Sequence, residues 1–133
     1  MNIVITYGIT LVIFAIIDTV WLGSMADRIY RPLIGSMLAE NFRIGPAIVF
    51  YCLYASALTL FAVWPGFNAG DWKKALLWGG LFGFFAYATY DLTNLATLKS
   101  WSTKLVVIDI AWGTVVSAAS SALACLVALK LLR

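Results

Sequence analysis

Three aspartates stand inside apolar runs, and any chemistry in this chain starts with them. Asp18 is the sole charge between residues 3 and 22, and Asp91 the sole charge between residues 75 and 98. Asp109 lies five residues after Lys104, near the start of the last apolar run. A charged side chain at the centre of a bilayer costs about 2.5–3.5 kcal/mol on insertion scales, so such acids are paired, face a cavity, or act on something. Holding helices in register is the weaker reason, because interhelical hydrogen bonds in membranes average about 0.6 kcal/mol, and Ser or Asn would serve. Around Asp91 the chain reads Tyr87-Ala88-Thr89-Tyr90-Asp91-Leu92-Thr93-Asn94. On a helix Tyr87 and Asn94 share the face of Asp91, with Tyr90 beside it. Asp18 and Asp109 are each followed three residues later by a tryptophan, Trp21 and Trp112. At that spacing the indole N–H is placed to donate to the carboxylate.

Acids flanked by aromatic rings suit a cation or an amphipathic amine, through charge and cation–π attraction. Burial and the nearness of other acids disfavour the charged form of a carboxyl, so one Asp is expected to carry a proton, and proton coupling belongs to this reading. The expected ligand-binding set is Asp18, Trp21, Tyr87, Tyr90, Asp91, Asn94, Asp109 and Trp112. The chain has no His, which removes haem ligation by His, the usual zinc sites and Ser-His or Cys-His nucleophile pairs. Three aspartates without His or Glu support call for no metal, and no cofactor is implied. A carboxylate pair can supply general acid and base on its own where burial separates the two groups. A membrane-lipid-modifying enzyme, or an accessory to one, is therefore the first alternative, with no catalytic residue assigned. A structural or assembly protein whose acids only set packing is the second.

The elements that must hold these residues follow from composition. Of 133 residues, 63% are hydrophobic and 11% charged, against about a quarter charged in soluble domains. Four stretches reach the roughly 20 residues needed to cross a bilayer: 3–22, 45–64, 72–98 and 105–129. Backbone in lipid must satisfy its own hydrogen bonds, so these are helices. Pro46 falls in a first turn and Pro65 is expected to follow the end of the second span. Residues 65–71 read as a tight turn with Asp71 capping the next helix, and 99–104 as another. Short turns make antiparallel neighbours, so the fold expected is an all-α, antiparallel four-helix transmembrane bundle, one domain over 1–133. The first segment lacks a basic leader region and reads as a retained span. The connection 23–44 is longer. Leu33, Ile34, Met37, Leu38 and Phe42 recur there at helical spacing, predicting a short amphipathic helix on the membrane or a lid over a pocket.

In that topology the three acids lie at a similar depth, roughly 7–10 Å below one face. Gly79, Gly83, Tyr87 and Asp91 form one four-residue stripe, and Gly113, Ser117, Ser121 and Cys125 another, allowing close helix approach. Tyr51, Ala55 and Thr59 give the second helix a comparable face. Arg28, Arg31 and Arg43 are expected to contact lipid headgroups. Trp64, Trp72, Trp78 and Trp101 are read as interface anchors. Cys52 and Cys125 are read as buried small hydrophobes toward opposite faces. Basic residues are scattered singly, so nucleic acid is not an expected partner. They number four on one side and five on the other, which sets no orientation.

The run Tyr90-Asp91-Leu92-Thr93-Asn94-Leu95-Ala96-Thr97-Leu98, then Trp101, then Asp109-Ile110-Ala111-Trp112-Gly113, resembles a family of small bacterial membrane proteins of unknown function. Asp18, Trp21, Tyr30, Arg31, Pro32 and Phe50-Tyr51 extend the likeness over most of the chain. The resemblance implies a four-span protein of a bacterial inner (cytoplasmic) membrane and carries no activity or substrate. The size and layout are also similar to small multidrug exporters, which place a key acid in the first helix and work as dimers. Asp91 and Asp109 depart from that pattern. The expectation is a small integral membrane protein whose carboxylate and aromatic pocket, near one face, binds or transports a small cationic or amphipathic ligand. Its expected partners are membrane lipids and that cationic or lipidic ligand, and a homo-oligomer is compatible with it.

Overall fold

A computed structural model describes residues 2–39 and 43–133. Phe42, one of the positions read as amphipathic, lies outside them. Four helices run α1 (Asn2–Met37), α2 (Ile44–Ala69), α3 (Trp72–Thr97) and α4 (Thr103–Leu132), and the described residues contain no strand. The all-α bundle is thus as expected. Three of the helices, α1, α2 and α4, are long and apolar enough to cross a membrane. At 26 residues α3 is long enough, but Lys73, Lys74, Asp91 and Asn94 make it less apolar. Exposed Val12, Ile16 and Val20 form an outward apolar stripe on α1, suited to lipid.

Two connections differ from the sequence reading. No separate amphipathic helix begins after residue 23. Instead α1 continues through a π turn at Ala26–Tyr30 and Arg31–Ile34, ending in the 3₁₀ turn Gly35–Met37. Leu33 and Ile34 turn inward on this extension, while Met37 and Leu38 are exposed. The second helix does not stop at Trp64. A π turn at Thr59–Val63 lets the Trp64 N–H bond the Thr59 carbonyl. Pro65 then enters in the first turn of the continuing stretch Trp64–Ala69. Gly70, in the left-handed region at φ 65°, ends α2, a conformation only glycine adopts without cost. Asp71 caps α3 as expected, accepting from the Lys73 N–H at 3.0 Å. Ser102 caps α4 by accepting from the Leu105 N–H at 3.2 Å.

The closest packing joins α3 to α4. A side chain at Gly79 would strike Ser121, and one at Gly83 would strike Ser117 and the Gly113 backbone. The Tyr87 ring lies over Gly113. Each step of four down α3 is matched by four back along α4, the register of two antiparallel helices. Ala75 and Cys125 continue the ladder into one core cluster with Val63 and Ala124. Phe14, Tyr54, Leu58 and Val116 form the other. Buried Thr6, Thr10 and Thr59 satisfy their hydroxyls on carbonyls four residues back. Cys52 and Cys125 are both free thiols.

Candidate functional site

Continued one more step, the α3–α4 ladder brings Asp91 opposite Asp109, and the two carboxyl groups are neighbours. All three acids are buried: Asp18 is 6% exposed, Asp91 0% and Asp109 9%. They differ in their donors. The Tyr51 hydroxyl donates to Asp18 Oδ2 at 2.8 Å and the Trp112 indole N–H donates to Oδ1 at 3.2 Å. The Tyr30 hydroxyl donates to Asp109 Oδ1 at 2.9 Å and itself accepts from the Trp21 indole N–H at 3.0 Å. Among the described residues neither oxygen of Asp91 has a hydrogen-bond partner. The Trp101 indole N–H, next to Asp91, is also buried without one. Buried polar groups are nearly always paired, so an orphaned carboxyl requires a cause.

The two Asp-x-x-Trp pairs do not close on themselves. Trp112 of α4 crosses to Asp18 of α1, whereas the Trp21 indole stays on α1, donating to Tyr30, whose hydroxyl makes the crossing to Asp109 of α4. The reason is the stack between the two indoles, with ring centroids 4.2 Å apart and planes at 6°. Stacking face to face half-buries both rings at the α1–α4 seam and keeps each N–H off the aspartate three residues before it. Tyr30 reaches the site because it closes the π turn of α1, where the extra residue per turn redirects side chains.

A cavity of about 350 Å³ opens between α2 and α3, lined by Phe50, Tyr54, Ala86, Tyr87, Tyr90 and Asp109. Asp109 is its acidic residue. The Tyr54 hydroxyl is 2.6 Å from Ser117 Oγ, fixing one wall to α4. The Tyr54 and Tyr87 rings meet edge to face at 6.0 Å. Tyr90 is half exposed and meets Trp101 edge to face at 5.9 Å. Asn94 is half-buried beside Tyr90, and no hydrogen bond joins it or Tyr87 to Asp91.

The eight residues expected at a ligand site therefore fall in two connected places. Asp109, Tyr87 and Tyr90 line the cavity, while Asp91 adjoins Asp109 and Asn94 adjoins Tyr90 without lining it. Asp18, Trp21 and Trp112 form the α1–α4 side, joined to it through Tyr30. Both Asp18 oxygens already accept donors, and no metal-ligating trio forms among the described residues. Arg28 and Arg31 are exposed on the α1 extension, where Arg31 pairs with Asp27. Arg43 is exposed just before α2. Tyr30, Phe50, Tyr51, Tyr54, Ala86 and Trp101 join the site from outside the expected set. Tyr30 sits twelve residues from Asp18, too far for any helical spacing to link them. Tyr54 has Tyr51 as its only polar neighbour at helical spacing, and no acid on its own helix to mark it. Trp101 was read as an interface anchor; the short connection from Leu98 to Ser102 folds it back over Asp91 instead.

A bundle of apolar helices around buried acids defines an integral membrane protein. The chain belongs to the family described as "Predicted membrane protein (DUF2177)", whose profile matches residues 3–126. No curated protein and no solved structure matches it.

Proposed function

We propose that this membrane protein binds a small cationic or amphipathic amine in the α2–α3 cavity, with Asp109 as counter-ion and Asp91 behind it. The observation that carries this reading is the orphaned, fully buried Asp91 carboxyl facing Asp109. Two acids held together away from water bring like charges into contact, and a proton or a cation between them relieves that repulsion. The rings of Phe50, Tyr54, Tyr87 and Tyr90 supply the apolar and cation–π walls such a ligand needs. Exchange of a proton for the ligand at this pair is the simplest coupling for transport. The membrane proposed is a bacterial cytoplasmic one, on the resemblance stated above, with α3 as a fourth span.

Titrating the purified protein with phenethylammonium, read by tryptophan fluorescence, tests the proposal. Saturable binding that weakens at low pH, releases protons in weak buffer and disappears in Asp91→Asn is expected. Binding unchanged in both Asp91→Asn and Asp109→Asn counts against it. The facing carboxyls also fit an acid–base pair acting on lipid. A lipidome that shifts on deletion and is restored by the wild type, but not by Asp91→Asn, favours that second reading.

A further inference from the structure

A second cavity, about 540 Å³, lies on the same helix pair as the first, lined by Phe61, Pro65, Trp78, Leu81, Phe82 and Phe85, with Lys74 at its edge. Phe82 stands between the two: its ring is 5.5 Å from Tyr54 of the first cavity and 6.0 Å from Phe61 of the second. From Tyr90 to Trp78 the helix rises about 18 Å, the length of an extended alkyl chain rather than of a compact ion. Past Asp109 the walls offer rings and aliphatic groups. The next charge along the groove is Lys74, which repels a cation and attracts an anion.

We infer that the ligand is a long-chain amphiphile with a cationic amino head, seated with its head at Asp109 and its tail down the α2–α3 groove across Phe82. This deepens the reading of the Asp109 cavity as a cation site and rests on it. Lys74 sets the direction, since the head enters at the acid end and only an uncharged tail reaches the other. Phe82 lines the second cavity and packs on Tyr54 of the first, so the tail crosses it between the two, and Leu81 and Phe85 flank the tail.

The test uses the full chain in lipid nanodiscs and a long-chain primary alkylamine carrying a diazirine near its terminal methyl. Light-driven labels are mapped by mass spectrometry. Labels are expected to concentrate on Phe61, Trp78, Leu81 and Phe85 rather than on Val12 and Ile16 of α1, which face outward as well. Removing one partner of a buried charge pair costs enough that Asp109→Asn should cut groove labelling about tenfold or more. Leu81→Trp, which fills the second cavity, should cut it too, with helicity and melting confirming that both variants fold. Equal labelling of α1 and the groove overturns the inference, as does labelling indifferent to Asp109→Asn. Equal groove labelling by a matching alkylcarboxylate overturns the cationic head. Phenethylammonium separates the two levels: if it binds while the tail labels nothing in particular, the cation site stands and the tail reading falls. If it does not bind, both fall.

Discussion

The α3–α4 seam has two halves built on one register and treated in opposite ways. In the half running from Ala75 to Gly83, each step meets a small residue of α4, and the backbones close until a single Cβ would collide. In the other half the same four-residue stripe carries Tyr87 and Asp91, and α4 offers Gly113 and Asp109. Small residues bring the helices into close contact in the first half, where the Ser121 hydroxyl is also buried without a partner. Large and acidic ones leave a cavity beside the second, lined by Asp109, with the orphaned Asp91 carboxyl behind it. Tight packing in one place fixes the register that brings the acids together in the other. Without a hydrophobic driving force between helices in lipid, such close approach is what holds the pair.

Breaking the packed half should have the largest effect. Gly83→Leu forces a side chain into Ser117 and the Gly113 backbone and is expected to cost about 3 kcal/mol or more, the upper range for overpacking, read as a lowered unfolding midpoint. A wild-type midpoint would mean the ladder is not the register of this pair.

The acids themselves sharpen the contrast. Asp18→Leu strands the Tyr51 hydroxyl and the Trp112 N–H and should destabilise by about 2 kcal/mol, the penalty of buried donors left unmade. Asp91→Leu removes a group with no partner and should stabilise by about 1 kcal/mol while abolishing amine binding, as when a poorly compensated buried polar group is replaced by an apolar one. Equal destabilisation by both would show that Asp91 is as well paired as Asp18. A loss smaller than that of Asp18→Leu is expected at the bridge between the two acid groups. Tyr30→Phe loses the hydroxyl that links Trp21 to Asp109 and should cost about 1–1.5 kcal/mol, a single net hydrogen bond near a charge. The smallest belongs to the exposed Arg31–Asp27 pair, where Arg31→Ala should change stability by less than about 0.5 kcal/mol. Thermal or denaturant unfolding in one detergent ranks all of these, and a different order breaks the comparison at the position where it fails.

Much of this was legible in the chain. The four helices, the Asp71 cap and the two small-residue stripes follow from spacing and composition, because helix geometry repeats every few residues. Pro65 predicts a stop that the structure does not show, because α2 continues through it to Ala69. Proline ends a helix when its surroundings are α-helical, but the π turn before it reset the hydrogen-bond frame. The amphipathic helix after residue 23 was misread for a related reason: its periodicity was real, yet the chain carried α1 straight into it through another π turn. The Asp-x-x-Trp pairs named the right side chains and the wrong partners, since the stack of Trp21 on Trp112 exists only once α1 and α4 meet.

Local order, then, was settled by the residues alone: an apolar, His-free chain of helices with three isolated acids and aromatic companions at helical spacing. Partnership was settled by the fold. Which donor reaches Asp18, which hydroxyl holds Asp109, and why Asp91 is left with nothing but Asp109 and Trp101 before it depend on contacts between helices distant in the chain. Periodicity along one helix says which side chains share a face. Only the packing of one helix on another, set here by glycines too small to keep them apart, says what that face meets.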